Sequence, residues 1–314
     1  MATKASTKKS TSSRANAAKK TTKRKTVAAK ATTKPATVKA VVVEKSVKKK
    51  RLPENLPGVI LAELFGTFVL TVVALAASSF NVLYAGLVVM VMVLAVGAVS
   101  QAHFNPAISF GLWTARRINW ATMLVYIGSQ LFGALLALTL TILLSGMSFG
   151  IDFSQFFAID WTILAIELVT TAIFAFGVAA VTSRSDLTNG AKALGAGMAL
   201  TIALVAGGVL LSYPQTSAMN TYQSNMQNAS ATGESTTKAP RVLLVDGVLA
   251  NPAVALASVE MTEQQMQMRM QGYNMPAEKT APTRFSAEVL LGTLAGATLG
   301  ANLFVLMSYK RREV

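Results

Sequence analysis

The triplets Asn105-Pro106-Ala107 and Asn251-Pro252-Ala253 each open a short apolar segment, one in each half of the chain. Asparagine is a favoured helix N-cap, and proline is favoured at the first helical position because its missing N–H is not needed there. Each triplet therefore predicts a helix, about 105–114 and about 251–261, too short for a bilayer that takes about 20 residues to cross. Two such half-helices meeting at the membrane midplane would direct two positive dipole ends and two carboxamide NH₂ groups at one point. This arrangement suits a filter for neutral, hydrogen-bonding solutes.

The composition places the chain among membrane proteins. Of its 314 residues, 52% are hydrophobic and only 14% are charged, whereas soluble domains carry about 25% charged residues. There is no cysteine and a single histidine, His103, which excludes disulfides and cysteine-ligated metal sites and argues against a zinc hydrolase. We find no nucleophile–base set, phosphate-binding loop or metal cluster in the sequence, so we expect no enzyme activity, no metal and no cofactor.

The positive charge is concentrated at the N-terminus. Residues 1–51 contain fourteen Lys and three Arg against a single acid, Glu44, while the rest of the chain is close to neutral. This segment has no aromatic residue and too few apolar groups to form a core, so we predict a disordered basic tail preceding a channel-like domain over 52–314. Beside a membrane such a tail would contact anionic lipid, at about 1 kcal/mol per basic residue. Binding to nucleic acid is the less favoured alternative.

Hydrophobic segments of spanning length occur six times. They cover about 57–78, 83–101, 119–144, 161–182, 191–212 and 285–308. The order is two spans, a half-helix and a span, and this order occurs twice, in halves of about 57–144 and 161–309. Because three spans per half is an odd number, the halves must insert with opposite topology. The predicted fold is an all-α membrane protein with six transmembrane helices, two re-entrant half-helices and long polar loops over 213–250 and 261–284.

The distribution of Lys and Arg predicts the orientation. The short loops Ser79–Val82 and Ser145–Asp160 contain neither residue. The basic residues of the opposite side are the tail, Arg116, Arg117, Arg184, Lys192 and Lys310–Arg312. By the positive-inside rule both termini are cytoplasmic, and the protein is expected to cross the cell membrane several times.

We single out three titratable residues within or next to the apolar segments. Glu63 and Glu167 fall inside predicted spans, where a charge costs at least about 2.5 kcal/mol and needs a partner. We expect them to support the pore by accepting hydrogen bonds from the non-helical backbone that leads into each half-helix. A proton relay is the alternative. For His103 we expect a hydrogen bond to neighbouring loop backbone near the cytoplasmic mouth, with a pH-dependent gate as the alternative.

Three stretches of sequence resemble the major intrinsic protein family, which comprises aquaporins and glycerol facilitators. They are Ser100-Gln101-Ala102-His103-Phe104-Asn105-Pro106-Ala107, Ala62-Glu63-Leu64-Phe65-Gly66-Thr67 and Gln130-Leu131-Phe132-Gly133-Ala134. The resemblance covers about 57–309 apart from the long loops. It implies six tilted helices and two half-helices around a single-file pore, usually in a homotetramer. It also implies passive movement of water or small uncharged solutes, with ions and protons excluded.

The chain departs from the family pattern at the outer constriction. The residue after the second triplet is usually Arg and here is Val254, and the Asp that follows it in glycerol facilitators is here Ala255. Alignment with the family puts the other constriction positions on Ala85, Leu204 and Val248. The resemblance thus implies an outer filter of Ala85, Leu204, Val248 and Val254 that is apolar and carries no cation. We therefore expect a channel that is less selective among small neutral solutes.

Two other functions stay open at this point. A proton-coupled transporter could use Glu63 and Glu167, and it would accumulate solute against a gradient under a pH difference, which a channel cannot do. The second is a non-conducting membrane protein whose basic tail binds an acidic partner. The absence of Arg at position 254 is consistent with this alternative.

Overall fold

The computed structural model describes residues 52–76, 82–145, 151–232, 238–272 and 281–309. Several expectations rest on the basic tail 1–51 and on the C-terminal Lys310–Arg312. Both segments lie outside these ranges.

Six helices in the described ranges are long and apolar enough to cross a membrane. They are α1 (Leu56–Ala76), α2 (Leu83–Ser100), α4 (Trp120–Ser145), α5 (Trp161–Thr182), α6 (Asn189–Thr232) and α9 (Ala287–Met307). Two shorter helices follow the Asn-Pro-Ala triplets, α3 (Pro106–Thr114) and α7 (Pro252–Ala257), and a further one, α8 (Glu263–Met270), precedes the last span. The all-helical fold with six spans and two half-helices is confirmed.

The two halves pack in the same way. In the first half α1 lies so close to α4 that a Cβ added at Gly133 would be 2.3 Å from Leu64 O. In the second half α5 and α9 are equally close, and a Cβ at Gly296 would be 2.2 Å from Leu168 O. Small residues allow helix backbones to approach in this manner within a membrane. Because the two crossings are equivalent, Gly133 of the first half corresponds to Gly296 of the second half.

The packing of α9 on α5 gives a testable expectation. A Cβ at Gly300 would lie 2.0 Å from Ala172 O, a backbone atom that cannot rotate away. We expect Gly300→Ala to destabilise the protein by about 1–3 kcal/mol, as overpacking of a core does. A Cβ at Gly128 of α4 meets nothing within 4 Å, so Gly128→Ala is the matched control. Thermal unfolding in detergent compares the two, and equal melting temperatures would contradict the crossing at Gly300.

The structure corrects the two predicted polar loops. The segment 213–250 is not a loop throughout, because α6 continues through Pro214 to Thr232 and a 3₁₀ turn forms at Arg241–Leu243. The segment 261–284 contains α8, which begins with a capping box at Thr262 and Gln265. Both regions are polar in composition, which is why their sequences look like loops.

Tertiary contacts explain the extension of α6. Leu211 and Tyr222 are buried against Val242, Leu243 and Met266, so one face of the extension has its own apolar core. Hydroxyl groups along the helix donate to carbonyls four residues earlier, as Thr216 Oγ1 does to Ser212 O at 2.8 Å. Packing of this kind overrides the weak intrinsic propensity of Ser, Thr and Asn.

The second half-helix is shorter than predicted. It ends at Ala257 rather than near residue 261, and Ser258 is already extended. Residues beyond this point pair with the segment before α9, since Arg284 N donates to Ser258 O at 2.8 Å and Val259 forms a bridge with Thr283. This pairing replaces the next helical turn.

Candidate functional site

The half-helices α3 and α7 begin at the two asparagines. Asn105 Oδ1 accepts hydrogen bonds from the N–H of Ala107 (2.8 Å) and of Ile108 (3.4 Å). Asn251 Oδ1 accepts from Ala253 N–H at 3.0 Å. Pro106 and Pro252 stand at the first helical positions. Because each carboxamide oxygen is used as the cap, each NH₂ group is directed away from its own helix.

The tips of α3 and α7 contact each other. Asn105 Nδ2 donates to Ala250 O at 2.7 Å, and Asn251 Nδ2 donates to Phe104 O at 3.0 Å. Phe104 and Ala250 have the same left-handed backbone, with φ of 51°, which is uncommon for residues other than glycine. Each NH₂ group has a second hydrogen, and both asparagines line one cavity. The structure therefore brings the two triplets together, each bonded to the backbone of the other half.

Two buried carboxylates hold the backbone that leads into these tips. Glu63 Oε1 accepts from His103 N–H at 3.0 Å, and Oε2 accepts from Phe104 N–H at 2.8 Å. Glu167 Oε1 accepts from Leu249 N–H at 3.0 Å, and Oε2 accepts from Ala250 N–H at 2.9 Å. Non-helical backbone at membrane depth is tolerated only where its N–H and C=O groups are satisfied by the protein or by a water-filled cavity. Each carboxylate satisfies two such N–H groups.

His103 is buried rather than placed at an open mouth. Its Nδ1 lies 3.0 Å from Ser109 Oγ, a side-chain atom and not the loop backbone that we expected. Its ring packs edge-on against Tyr126, with 4.7 Å between the ring centroids. Among the described residues Nε2 has no hydrogen-bond partner, and His103 is one of the residues lining the cavity.

The cavity has a volume of about 290 Å³. Its walls include all four residues that the resemblance assigns to the outer filter, namely Ala85, Leu204, Val248 and Val254. The same cavity also has a cation on its wall, because Arg284 lines it. The pairing of the segment before α9 with the end of α7 carries Arg284 to this place, although it follows Val254 by 30 residues.

Four polar residues at or near the site were not predicted from the sequence to belong to it. Gln130 Nε2 donates to Glu63 Oε2 at 2.8 Å, Arg284 Nη2 donates to Glu167 Oε1 at 3.3 Å, and Arg241 forms an ion pair with buried Glu288 at 2.7 Å. One sequence signal points to such residues: a charged or amide group within or beside an apolar span needs a partner. The sequence does not say which group is the partner.

The family is established by comparison with known proteins. The family model for "Major intrinsic protein" matches residues 46–225, more than half of the chain. The chain belongs to the major intrinsic protein family. Members of this family are channels, not enzymes. With its six apolar helices, this chain is an integral, multi-pass membrane protein.

Several curated family members are similar over part of their length. "Probable aquaporin NIP4-2" of Arabidopsis thaliana is 30% identical over 167 residues, which are 48% of this chain and 57% of that protein. "Aquaporin NIP1-1" of Zea mays is 31% identical over 164 residues, 48% of this chain and 58% of that protein. "Aquaporin Z" of Photorhabdus laumondii is 33% identical over 150 residues, 39% of this chain and 64% of that protein. The chain thus spans somewhat more than half the length of these relatives.

Among solved structures, the X-ray structure of the aquaglyceroporin from Plasmodium falciparum is similar. The alignment covers 80% of this chain and 95% of that one, with 17% identity and a TM-score of 0.47.

Proposed function

We propose that this member of the major intrinsic protein family is a passive channel for water and small neutral solutes such as glycerol and urea. The observation that carries the proposal is the reciprocal bonding of Asn105 and Asn251 at one wall of the cavity. Each carboxamide keeps one N–H for a passing oxygen atom. A water that accepts from both cannot easily donate in both directions along a file, and the helix dipoles oppose cations.

The cavity walls support a pathway for solutes larger than water. Ala85 stands at the second-span position where the family usually has an aromatic or bulky residue. Leu204, Val248 and Val254 present hydrocarbon. These walls leave space for the carbon backbone of a polyol, while the asparagines hydrogen-bond its hydroxyl groups.

Proton coupling through Glu63 and Glu167 is less supported. Both carboxylates already accept two backbone hydrogen bonds, and each accepts a third from Gln130 or Arg284. Protonating either one would break such bonds at the strained loops. A fixed, supporting carboxylate is better suited to a channel than to a relay.

Flux measurements on the purified chain in liposomes test the proposal. We expect stopped-flow water, glycerol and urea permeabilities above those of empty vesicles, with a low activation energy and no accumulation under a pH gradient. Fluxes equal to those of empty vesicles would reject a channel. Fast water flux without glycerol or urea flux would reject only the broad selectivity, and uphill accumulation would favour the transporter.

The arrangement in the membrane belongs to the same proposal. We propose that residues 52–314 form the channel domain, that both termini are cytoplasmic, and that the chain assembles as a homotetramer in the cell membrane. The basic tail 1–51 would then lie against anionic lipid of the cytoplasmic leaflet. Protease accessibility of the tail in sealed, oriented vesicles tests the orientation.

A further inference from the structure

Arg284 reaches the cavity from outside the half-helix. It lies in the segment between α8 and α9, and only 4% of it is exposed. Its backbone N–H donates to Ser258 O at 2.8 Å, just past the end of α7. The neighbouring Thr283 Oγ1 lies 3.2 Å from Ala255 O and 3.3 Å from Ser258 O. The segment is thereby fixed beside the half-helix that carries Val254.

The guanidinium group is held on one side and free on the other. Nη1 donates to Gly247 O at 3.2 Å, and Nη2 donates to Glu167 Oε1 at 3.3 Å. A guanidinium has five N–H donors, and these two hydrogen bonds use two of them. Arg284 lines the cavity together with Val248 and Val254, whereas Glu167 is not among the described lining residues. The cation therefore faces the cavity and its counter-charge lies behind it.

Comparison of the two halves shows why an arginine is accommodated there. Gly133 and Gly296 occupy equivalent crossings, so Gln130, three residues before the first, corresponds to Thr293, three residues before the second. Gln130 is the neutral amide partner of Glu63. Thr293 Oγ1 instead donates to carbonyls of its own helix. Glu167 thus lacks the amide partner, and the guanidinium takes its place.

The other charges near Arg284 are paired with one another. Arg241 makes a two-pronged contact with Glu260, at 2.9 Å from Nε and 2.5 Å from Nη2, and an ion pair with Glu288. Asp246 also lines the cavity, and it pairs with Arg269 at 2.8 Å. In the described part of the chain, Arg241 and Arg269 do not line the cavity. Arg284 is therefore the arginine at the cavity wall among the described residues.

We propose that Arg284 is the residue that excludes cations and protons at this cavity, delivered from the segment before α9 instead of from the second half-helix. The inference rests on the proposed channel function and adds the residue that sets its charge selectivity. A fixed positive charge in a narrow, poorly hydrated space repels H₃O⁺ and metal cations. Its free N–H groups donate hydrogen bonds to the oxygen atoms of neutral solutes.

The test compares ion leak with water flux in liposomes containing the full chain. For Arg284→Gln we expect proton and Na⁺ leak to rise on the order of tenfold, because one unit charge is removed from the cavity wall. Water permeability should stay above that of empty vesicles. The double variant Val254→Arg/Arg284→Gln returns a cation from the position where the family usually carries it, and should bring the leak back toward the wild-type value.

Two further variants serve as controls. Arg184 is exposed in the loop after α5, where its hydrogen bond and charge lower the pKa of Asp186 to about 2. Arg184→Gln also removes one positive charge, but at a position outside the cavity. Its ion leak should equal the ion leak of wild type. Since Arg284→Gln leaves Glu167 without its cation, Glu167→Gln/Arg284→Gln removes both charges together, and the same rise in leak is expected.

The possible outcomes separate the two proposals. Water flux with unchanged ion leak in the Arg284 variants would overturn the role of Arg284 and leave the channel standing. A wild-type protein that leaks protons as fast as Arg284→Gln would overturn it as well. A wild-type protein without water or solute flux would overturn the channel and, with it, any selectivity residue.

Discussion

Replacing Glu63 with Leu is expected to lower the stability of the folded protein substantially. The substitution leaves three buried donors without their acceptor: His103 N–H, Phe104 N–H and the Gln130 amide. An unsatisfied buried donor costs about 1–3 kcal/mol, so the loss is about 3 kcal/mol or more, although the cost of burying the carboxylate is also relieved. A protein of this size loses about 2–4 °C of melting temperature per kcal/mol.

The measurement is thermal unfolding in detergent together with the yield of monodisperse protein. Glu63→Gln keeps one acceptor oxygen. We expect its melting temperature and yield to lie between those of wild type and those of Glu63→Leu. Phe65→Leu changes an exposed side chain two residues along the same helix and should unfold like wild type. If Glu63→Leu is as stable as Phe65→Leu, Glu63 does not support the loop before α3.

Ala85→Trp is expected to close the pathway while leaving the fold intact. Ala85 lies on α2, is 7% exposed and lines the cavity of about 290 Å³. Trp is the largest side chain and carries about 150–250 Å² of surface. Placed on this wall, it would fill much of the space between Leu204 and Val248. We expect water and glycerol permeabilities to fall about tenfold or more, since pore diameter limits both.

A neighbouring position on the same helix provides the control. Leu87 is 40% exposed, so Leu87→Trp adds the same ring on the outer surface, and its permeabilities should equal those of wild type. Both variants are compared at equal amounts of reconstituted protein. A well-folded Ala85→Trp protein with full water flux would show that the solute path does not pass through this cavity.

The paired carboxylates show how far the sequence leads. An acid inside an apolar span needs a partner, and for Glu63 and Glu167 we expected that partner to be the non-helical backbone leading into each half-helix. The partner side chains were not predictable in the same way. Gln130 and Arg284 lie 67 and 117 residues away from the carboxylates that they contact, and no local pattern links them.

The constriction shows where reasoning by position fails. Position 254 carries Val where the family usually has Arg, and we therefore expected no cation there. Arg284, on a different segment, nevertheless lines the cavity. The course of that segment depends on the bridge between Val259 and Thr283 and on hydrogen bonds to the end of α7. A side chain can reach the same space from another backbone position.

The sequence by itself determined the six spans, the two half-helices and the duplicated order, because transfer into a bilayer and helix capping depend on residues close together in the chain. Only the tertiary structure decided that α6 extends to Thr232, that α8 forms, and that Arg284 lines the same cavity as Val254. Those features depend on contacts between segments tens of residues apart, whose free energy no short stretch of sequence contains.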